Sequence, residues 1–172
     1  MPTRIILVRH GETDWNFEHR WQGHADTPLN DKGRAQAREL ADRFDGEQVA
    51  AVYSSDLLRA RETARILAER LGLEVTTVPA LRERSFGLWE GLRHEDIVHR
   101  FPGLDDSPDA ETREAMARRV LVSLRAIAAS HPGETVLVVS HGGPIRAALR
   151  HHEHPAGEEA VANCSVIDLE VD

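Results

Sequence analysis

Two histidines in this 172-residue chain stand where chemistry is easily built. His10 follows the run Ile5-Ile6-Leu7-Val8-Arg9, His141 follows Thr135 to Val139 and Ser140, and each is succeeded at once by glycine. Histidine is a competent covalent nucleophile and proton carrier. Arg9 beside the first, and Arg59 at the head of a helical segment, offer guanidinium forks that match phosphate oxygens in pairs. On Arg9-His10-Gly11 alone, a functional cluster and an incidental basic strand end weigh the same. The repetition at His141 is more informative than either end. If both runs are parallel strands of one sheet, His10 and His141 emerge at the same edge, with Arg9 and Arg59 in reach. Four potential cations without a metal-type carboxylate cluster suit a phosphoryl group. Glu83 offers a proton donor for a leaving oxygen, although spacing alone leaves it one of 29 acidic residues. Gly11 would let the backbone turn sharply or approach a ligand, and Gly142-Gly143 before a helix would turn N–H groups toward an anion.

The elements that must position these residues follow from the patterning. Ile5–Val8 and Thr135–Val139 are continuous, largely β-branched runs and read as strands buried on both faces. Shorter strands are expected at Val49–Tyr53 and Glu74–Val78, and an alternating, half-exposed one at Val166–Val171. Helical periodicity marks Gly33–Phe44, Leu57–Leu71 closed by Gly72, Glu111–Ser130, and a segment after Pro144; His94–Phe101 is a shorter candidate. Asp14–Leu29, Leu81–Gly91 and Pro102–Pro108 lack a period and read as loops. Strands alternating with helices imply an α/β fold with helices on both faces of the sheet.

Composition sets outer bounds. With 41% hydrophobic and 29% charged residues the chain suits one domain with a proper core. A net charge of −8 argues against a general nucleic-acid or membrane-surface binder without excluding a local basic pocket. The first strand starts almost at Met1, leaving no room for a signal peptide, and the single Cys164 fits a reducing compartment; the expectation is a cytoplasmic protein. Arginine supplies 20 of the 21 basic residues, which codon bias explains as well as function does.

Five stretches, taken in order, carry a resemblance. They are Val8–Thr13; Gln22-Gly23 with Pro28-Leu29-Asn30 and Gly33; Ser54–Ala64; Leu81-Arg82-Glu83 with Phe86-Gly87 and Trp89-Glu90-Gly91; and Ser140–Gly143. Together they resemble the signatures of the histidine phosphatase superfamily, the phosphoglycerate-mutase-like fold. The resemblance implies a three-layer α/β/α sandwich with a mostly parallel central sheet, formed by residues 1–172 as a single domain. It further implies that His10 is phosphorylated during turnover and that Arg9, Arg59 and His141 hold the phosphoryl oxygens. Glu83 would protonate the leaving group and later activate water. Asn16, Gln22, Gly23 and Gly142 would line the substrate pocket. Neither metal nor cofactor is implied; the partner expected is a small phosphorylated metabolite. The attack demands a neutral His10, so a neighbouring carbonyl should fix its tautomer.

Mutases of this family are similar to one another in a longer, more basic insertion before the final histidine. Here Leu92–Thr112 carries only Arg93 and Arg100 against Glu95, Asp96, Asp105, Asp106, Asp109 and Glu111. An acidic lid favours phosphomonoester hydrolysis over mutase activity. The alternatives are a cofactor-dependent phosphoglycerate mutase, a protein-phosphohistidine phosphatase, and a non-catalytic phosphate-binding module on the same fold. Trp15, Trp21 and Trp89 either wall the substrate site or pack in the core. His151, His152 and His154 read as a solvated helix end ahead of a metal cluster. Cys164 reads as a small buried residue.

Overall fold

The computed structural model describes all 172 residues. Its strands are β1 (Thr3–Arg9), β2 (Ala51–Ser54), β3 (Val75–Thr77), β4 (Thr135–Ser140) and β5 (Val166–Val171). They form one sheet in the order β3-β2-β4-β1-β5, parallel throughout except for β5, which runs antiparallel to β1. The helices are α1 (Asp14–Phe17), α2 (Asp31–Arg43), α3 (Leu58–Leu71), α4 (His94–Arg100), α5 (Arg113–Ser130) and α6 (Gly142–His151).

Strand pleating divides the core in two. Ile5 and Leu7 of β1, with Val136 and Val138 of β4, pack under Val120, Leu124 and Ile127 of α5 and Ile145 and Leu149 of α6. Ile6, Val8, Leu137 and Val139 point the other way, against Leu40 and Ala41 of α2 and Ala60, Ala64 and Leu67 of α3. Both faces of the central strands are therefore covered, the reason they read as unbroken apolar runs. The three-layer α/β/α arrangement expected from the sequence is the one observed.

The register decides what emerges at the sheet edge. Val8 pairs with Val139 and Arg9 with Ser140, and the His10 amide donates to the Ser140 carbonyl at 3.1 Å. One residue further, both chains arrive at a histidine. Because β4 lies between β1 and β2, the α3 start that follows β2 opens onto the same edge.

Asp14–Leu29 is not all loop. Asp14–Phe17 makes one turn of helix, with Thr13 and Asn16 forming a reciprocal capping box. Four residues are too few to show a period. Helix ends follow their caps elsewhere: Asn30 accepts from Gly33 N, Thr112 from Ala115 N, and Gly72 closes α3 with φ +67°. Gly11 is needed for a reason different from the one expected. Its φ is not left-handed, and a Cβ there would come within 2.5 Å of the Gly33 carbonyl oxygen, so the close approach is to the start of α2 rather than to a ligand.

Candidate active site

At the C-terminal edge of β1, a cavity of about 330 Å³ is lined by Arg9, His10, Arg59 and Glu83, with Asn16 from α1 and Gln22 and Gly23 from the segment between α1 and α2. The structure thus brings together seven of the nine residues singled out from the sequence. His141 and Gly142 lie close by without reaching the cavity wall. The His141 ring is completely buried, 5.1 Å from that of His10, and a Cβ on Gly142 would stand 3.8 Å from Arg9 Nε.

His10 is 2% exposed, and its Nδ1 lies 2.7 Å from the Gly11 carbonyl. A carbonyl only accepts, so the imidazole proton sits on Nδ1 and Nε2 keeps its lone pair. Burial holds the His10 pKa well below 6.5, and the Arg59 and Arg9 charges push the same way. His141 is lowered well below 6.5 as well, first by burial and then by Arg59. Of the four potential cations the two arginines carry the charge, because a charged imidazole beside two guanidiniums is unfavourable in a buried site.

His141 is held through its other ring nitrogen. Its Nε2 lies 2.8 Å from Ser55 Oγ, and that oxygen already accepts from the Leu57 amide. Where the Ser55 hydroxyl donates to Nε2, the His141 proton sits on Nδ1, a buried atom with no partner. Arg9 Nε and Arg59 Nε are also buried and unpartnered. Buried donors in this state are what an incoming anion satisfies.

The remaining guanidinium nitrogens are not idle. Arg59 donates to the carbonyls of Ala25 (2.8 Å) and Gly23 (2.7 Å), and Arg9 to that of Val161. Burial is also the main reason the Arg59 pKa falls to about 10. Gly23 adopts φ +53°, and a Cβ would come within 2.2 Å of Glu90 Oε1, so any larger residue there would be strained and would displace Glu90. Gln22 Oε1 lies 2.8 Å from the Thr13 hydroxyl and 2.6 Å from that of Thr27, which turns its amide nitrogen away from both.

Glu83 borders two cavities. Its Oε1 accepts from Arg84 N (2.9 Å) and its Oε2 from Gly143 N (3.1 Å). The anion that the α6 start faces is therefore Glu83 itself, and the glycine that matters is Gly143, where a Cβ would meet Glu83 Oε1 at 2.2 Å. The second cavity, about 560 Å³, shares Trp21, Phe86 and Glu83 with the first. Trp21 stands edge-on to Phe86 at 4.6 Å and to Trp89 at 5.7 Å, so the aromatic residues do line the site.

Several supporting residues escaped the sequence reading. Arg119 of α5 donates to the carbonyls of Ala80, Arg82 and Glu83 and pairs with Glu111, pinning the loop that carries Glu83. Thr63 accepts from Gly11 N at 3.0 Å and donates to Arg59 O at 2.8 Å, joining α3 to the β1 end. Only the placement of Thr63 one turn after Arg59 hints at this. The acidic stretch is not a free negative lid: Asp106 is held by Arg84, Glu111 by Arg119, and Asp109 by Ser107 and Leu88 N. No group of three His, Cys, Asp or Glu side chains is placed to hold a metal ion, and His154 instead accepts from Ala156 N. Cys164 is not a plain core residue; it sits in a turn at φ +55°, and burial raises its thiol to about 11. No helix is long and apolar enough to cross a membrane.

The sequence profile of the histidine phosphatase superfamily, branch 1, matches residues 5–172. Phosphoglycerate mutase-like protein 4 of Arabidopsis thaliana is 41% identical, over 94% of this chain and 76% of its own length. The metal-independent phosphoserine phosphatase of the same plant is 37% identical, over 95% of this chain and 74% of its own. Among solved structures, a mycobacterial glucosyl-3-phosphoglycerate phosphatase complexed with VO3 superposes with a TM-score of 0.87 at 33% identity, covering 96% of this chain and 90% of that one.

Proposed function

The chain belongs to the histidine phosphatase superfamily, and from that premise we propose that residues 1–172 act as a single domain hydrolysing phosphomonoesters through a covalent phosphohistidine on His10. The observation that carries this reading is the state of His10: neutral, its Nδ1 proton tied to the Gly11 carbonyl, its Nε2 free beside two buried arginines.

In the first half-reaction the Nε2 lone pair attacks phosphorus while the P–O bond to the leaving group breaks. Glu83 delivers its carboxyl proton to that oxygen, and the alcohol departs into the adjoining cavity. Arg9 and Arg59 Nε–H groups and the His141 Nδ1–H take the charge building on the phosphoryl oxygens. The imidazolium formed on His10 is stabilised by the Gly11 carbonyl. In the second half-reaction Glu83 accepts a proton from water, whose oxygen attacks phosphorus as the P–N bond breaks, returning neutral His10 and phosphate. No resident metal or cofactor has a part in these steps.

The leaving group meets a mixed wall: Arg113 and Arg146 make no ion pair, and neither do Asp105 and Glu114. The aromatic side is formed by Trp21, Phe86 and Trp89. A small phosphorylated metabolite with polar substituents on a compact carbon skeleton suits this lining, and phosphoserine or a phosphoglycerate derivative, named among the relatives, is a sensible first trial.

The test is a rapid acid quench during turnover of a labelled ester. Acid-labile, alkali-stable phosphate on His10, with net phosphate release, is expected. Isomerisation of 3-phosphoglycerate without phosphate release, in the presence of a bisphosphate primer, would establish a mutase instead.

A further inference from the structure

The turn that leads into β5 is tied to the end of β1, at Arg9 and His10, by more bonds than a connection requires. Cys164 N donates to the carbonyls of Arg9 (3.0 Å) and His10 (3.3 Å), and Arg9 N donates to Ser165 O (3.2 Å). To make these contacts Cys164 accepts a left-handed backbone at φ +55°, uncommon for a residue with a Cβ. The preceding side chain, Asn163, reaches the end of β1 and the Asn16 side chain. Its Nδ2 lies 3.0 Å from the His10 carbonyl and 3.3 Å from Asn16 Oδ1.

We propose that Asn163 is a positioning residue: one amide group orients both the peptide of the nucleophile and the side chain of Asn16. On the first arm, holding the His10 carbonyl fixes the His10–Gly11 peptide, and through the Gly11 Cα it sets the direction of the next peptide, whose Gly11 oxygen keeps the proton on His10 Nδ1. On the second arm, Asn16 Oδ1 receives Asn163 Nδ2 and Thr13 N (3.1 Å), with the Thr13 hydroxyl also 3.1 Å away. With its oxygen occupied by donors, Asn16 presents its NH2 to the cavity it lines, as a donor for a phosphoryl or substrate oxygen. Asn163 itself does not line that cavity and acts only through these two neighbours.

The inference rests on His10 being the nucleophile, so its test includes a readout that does not need turnover. The side-chain nitrogens of His10 are followed by 15N NMR in wild type, Asn163→Ala and the isosteric Asn163→Asp, which presents oxygens where a donor is needed. Wild type should show protonated Nδ1 and bare Nε2; both variants should show Nε2 becoming partly protonated. In parallel, kcat and KM for p-nitrophenyl phosphate are measured for Asn163→Ala, Asn16→Ala and the double variant. A drop in kcat of about tenfold for Asn163→Ala, shrinking markedly in the Asn16→Ala background, is the expected result. Unchanged His10 nitrogens together with fully additive kinetic losses would overturn the proposal and leave Asn163 as a turn residue. An inactive wild type with the tautomer shift intact would count against the hydrolase reading and leave the positioning role standing.

Discussion

The ends of β1 and β4 look interchangeable in sequence, since each delivers a histidine and then a glycine to the same sheet edge. In the folded protein they are opposites. His10 is tied by Nδ1 to a carbonyl, keeps Nε2 bare and faces the cavity. His141 is tied by Nε2 to Ser55, leaves Nδ1 without a partner and stays wholly buried. In the proposed reaction the first imidazole accepts phosphorus and the second donates a hydrogen bond. The glycines differ too. Gly11 meets the Gly33 backbone, whereas Gly142 is unconstrained and its successor Gly143 feeds the carboxylate of Glu83. The lesson is that a hydrogen-bond partner, more than residue type or depth, assigns each histidine its role.

Substitution of the histidines tests that asymmetry most severely. His10→Ala should abolish the trapped phosphoenzyme and lower kcat by at least about 10⁴-fold, the loss typical of removing a nucleophile. His141→Ala should still form phosphoenzyme, about 10²- to 10³-fold more slowly, as for loss of one oxyanion donor. Quenched-flow measurements on both decide the matter; phosphoenzyme absent from both would erase the distinction.

The glycines come next. Gly143→Ala forces Glu83 aside and should slow hydrolysis of an alkyl phosphate by about 10²-fold, with much less effect on p-nitrophenyl phosphate, whose leaving group needs little protonation. Gly142→Ala meets nothing closer than 3.8 Å and should leave both rates within a factor of a few. Equal effects of the two alanines would contradict the role given to Gly143.

What the histidines share should appear in stability. Both have pKa values held well below 6.5 in the folded state, chiefly by burial, while in the unfolded chain they take up protons near 6.5. The unfolded state therefore binds more protons below that pH, and stability falls as pH drops through 6.5, by up to about 2.7 kcal/mol per pH unit for the pair. Urea unfolding at pH 7.5 and 5.5 measures this, and His10→Gln should reduce the slope by about half. A slope unaffected by the substitution would mean that His10 is not held neutral.

Ser55→Ala is the mildest probe. It removes the partner of His141 Nε2 and should cost about 1–3 kcal/mol of stability while leaving the His10 tautomer untouched. Thermal unfolding and 15N NMR report the two halves of that statement; a changed His10 tautomer would show the two sites to be one network.

Much of this was legible in the chain. The two-sided burial of β1 and β4 showed as unbroken apolar runs, and the stripes on α2, α3 and α5 showed as periodicity. Arg9, His10, Arg59 and Glu83 were legible as types that suit phosphoryl chemistry and as family signatures. Arg119 and Asn163 were not, because each acts through carbonyls and amides far away in sequence; Arg119 reaches back 36 residues to Glu83, and Asn163 reaches back 153 to His10. The acidic count of Leu92–Thr112 overstated the charge of that stretch for a related reason: Asp106 and Glu111 are paired with Arg84 and Arg119 and carry little net field.

The sequence by itself determined which side chains reach the sheet edge, since strand pleat and helix period are local properties that residue order encodes directly. Only the tertiary structure decided what those side chains are once there. Protonation state, tautomer and free lone pairs depend on burial and on partners such as Gly11, Ser55 and Glu83's neighbour Gly143, and the three-dimensional packing alone sets those distances.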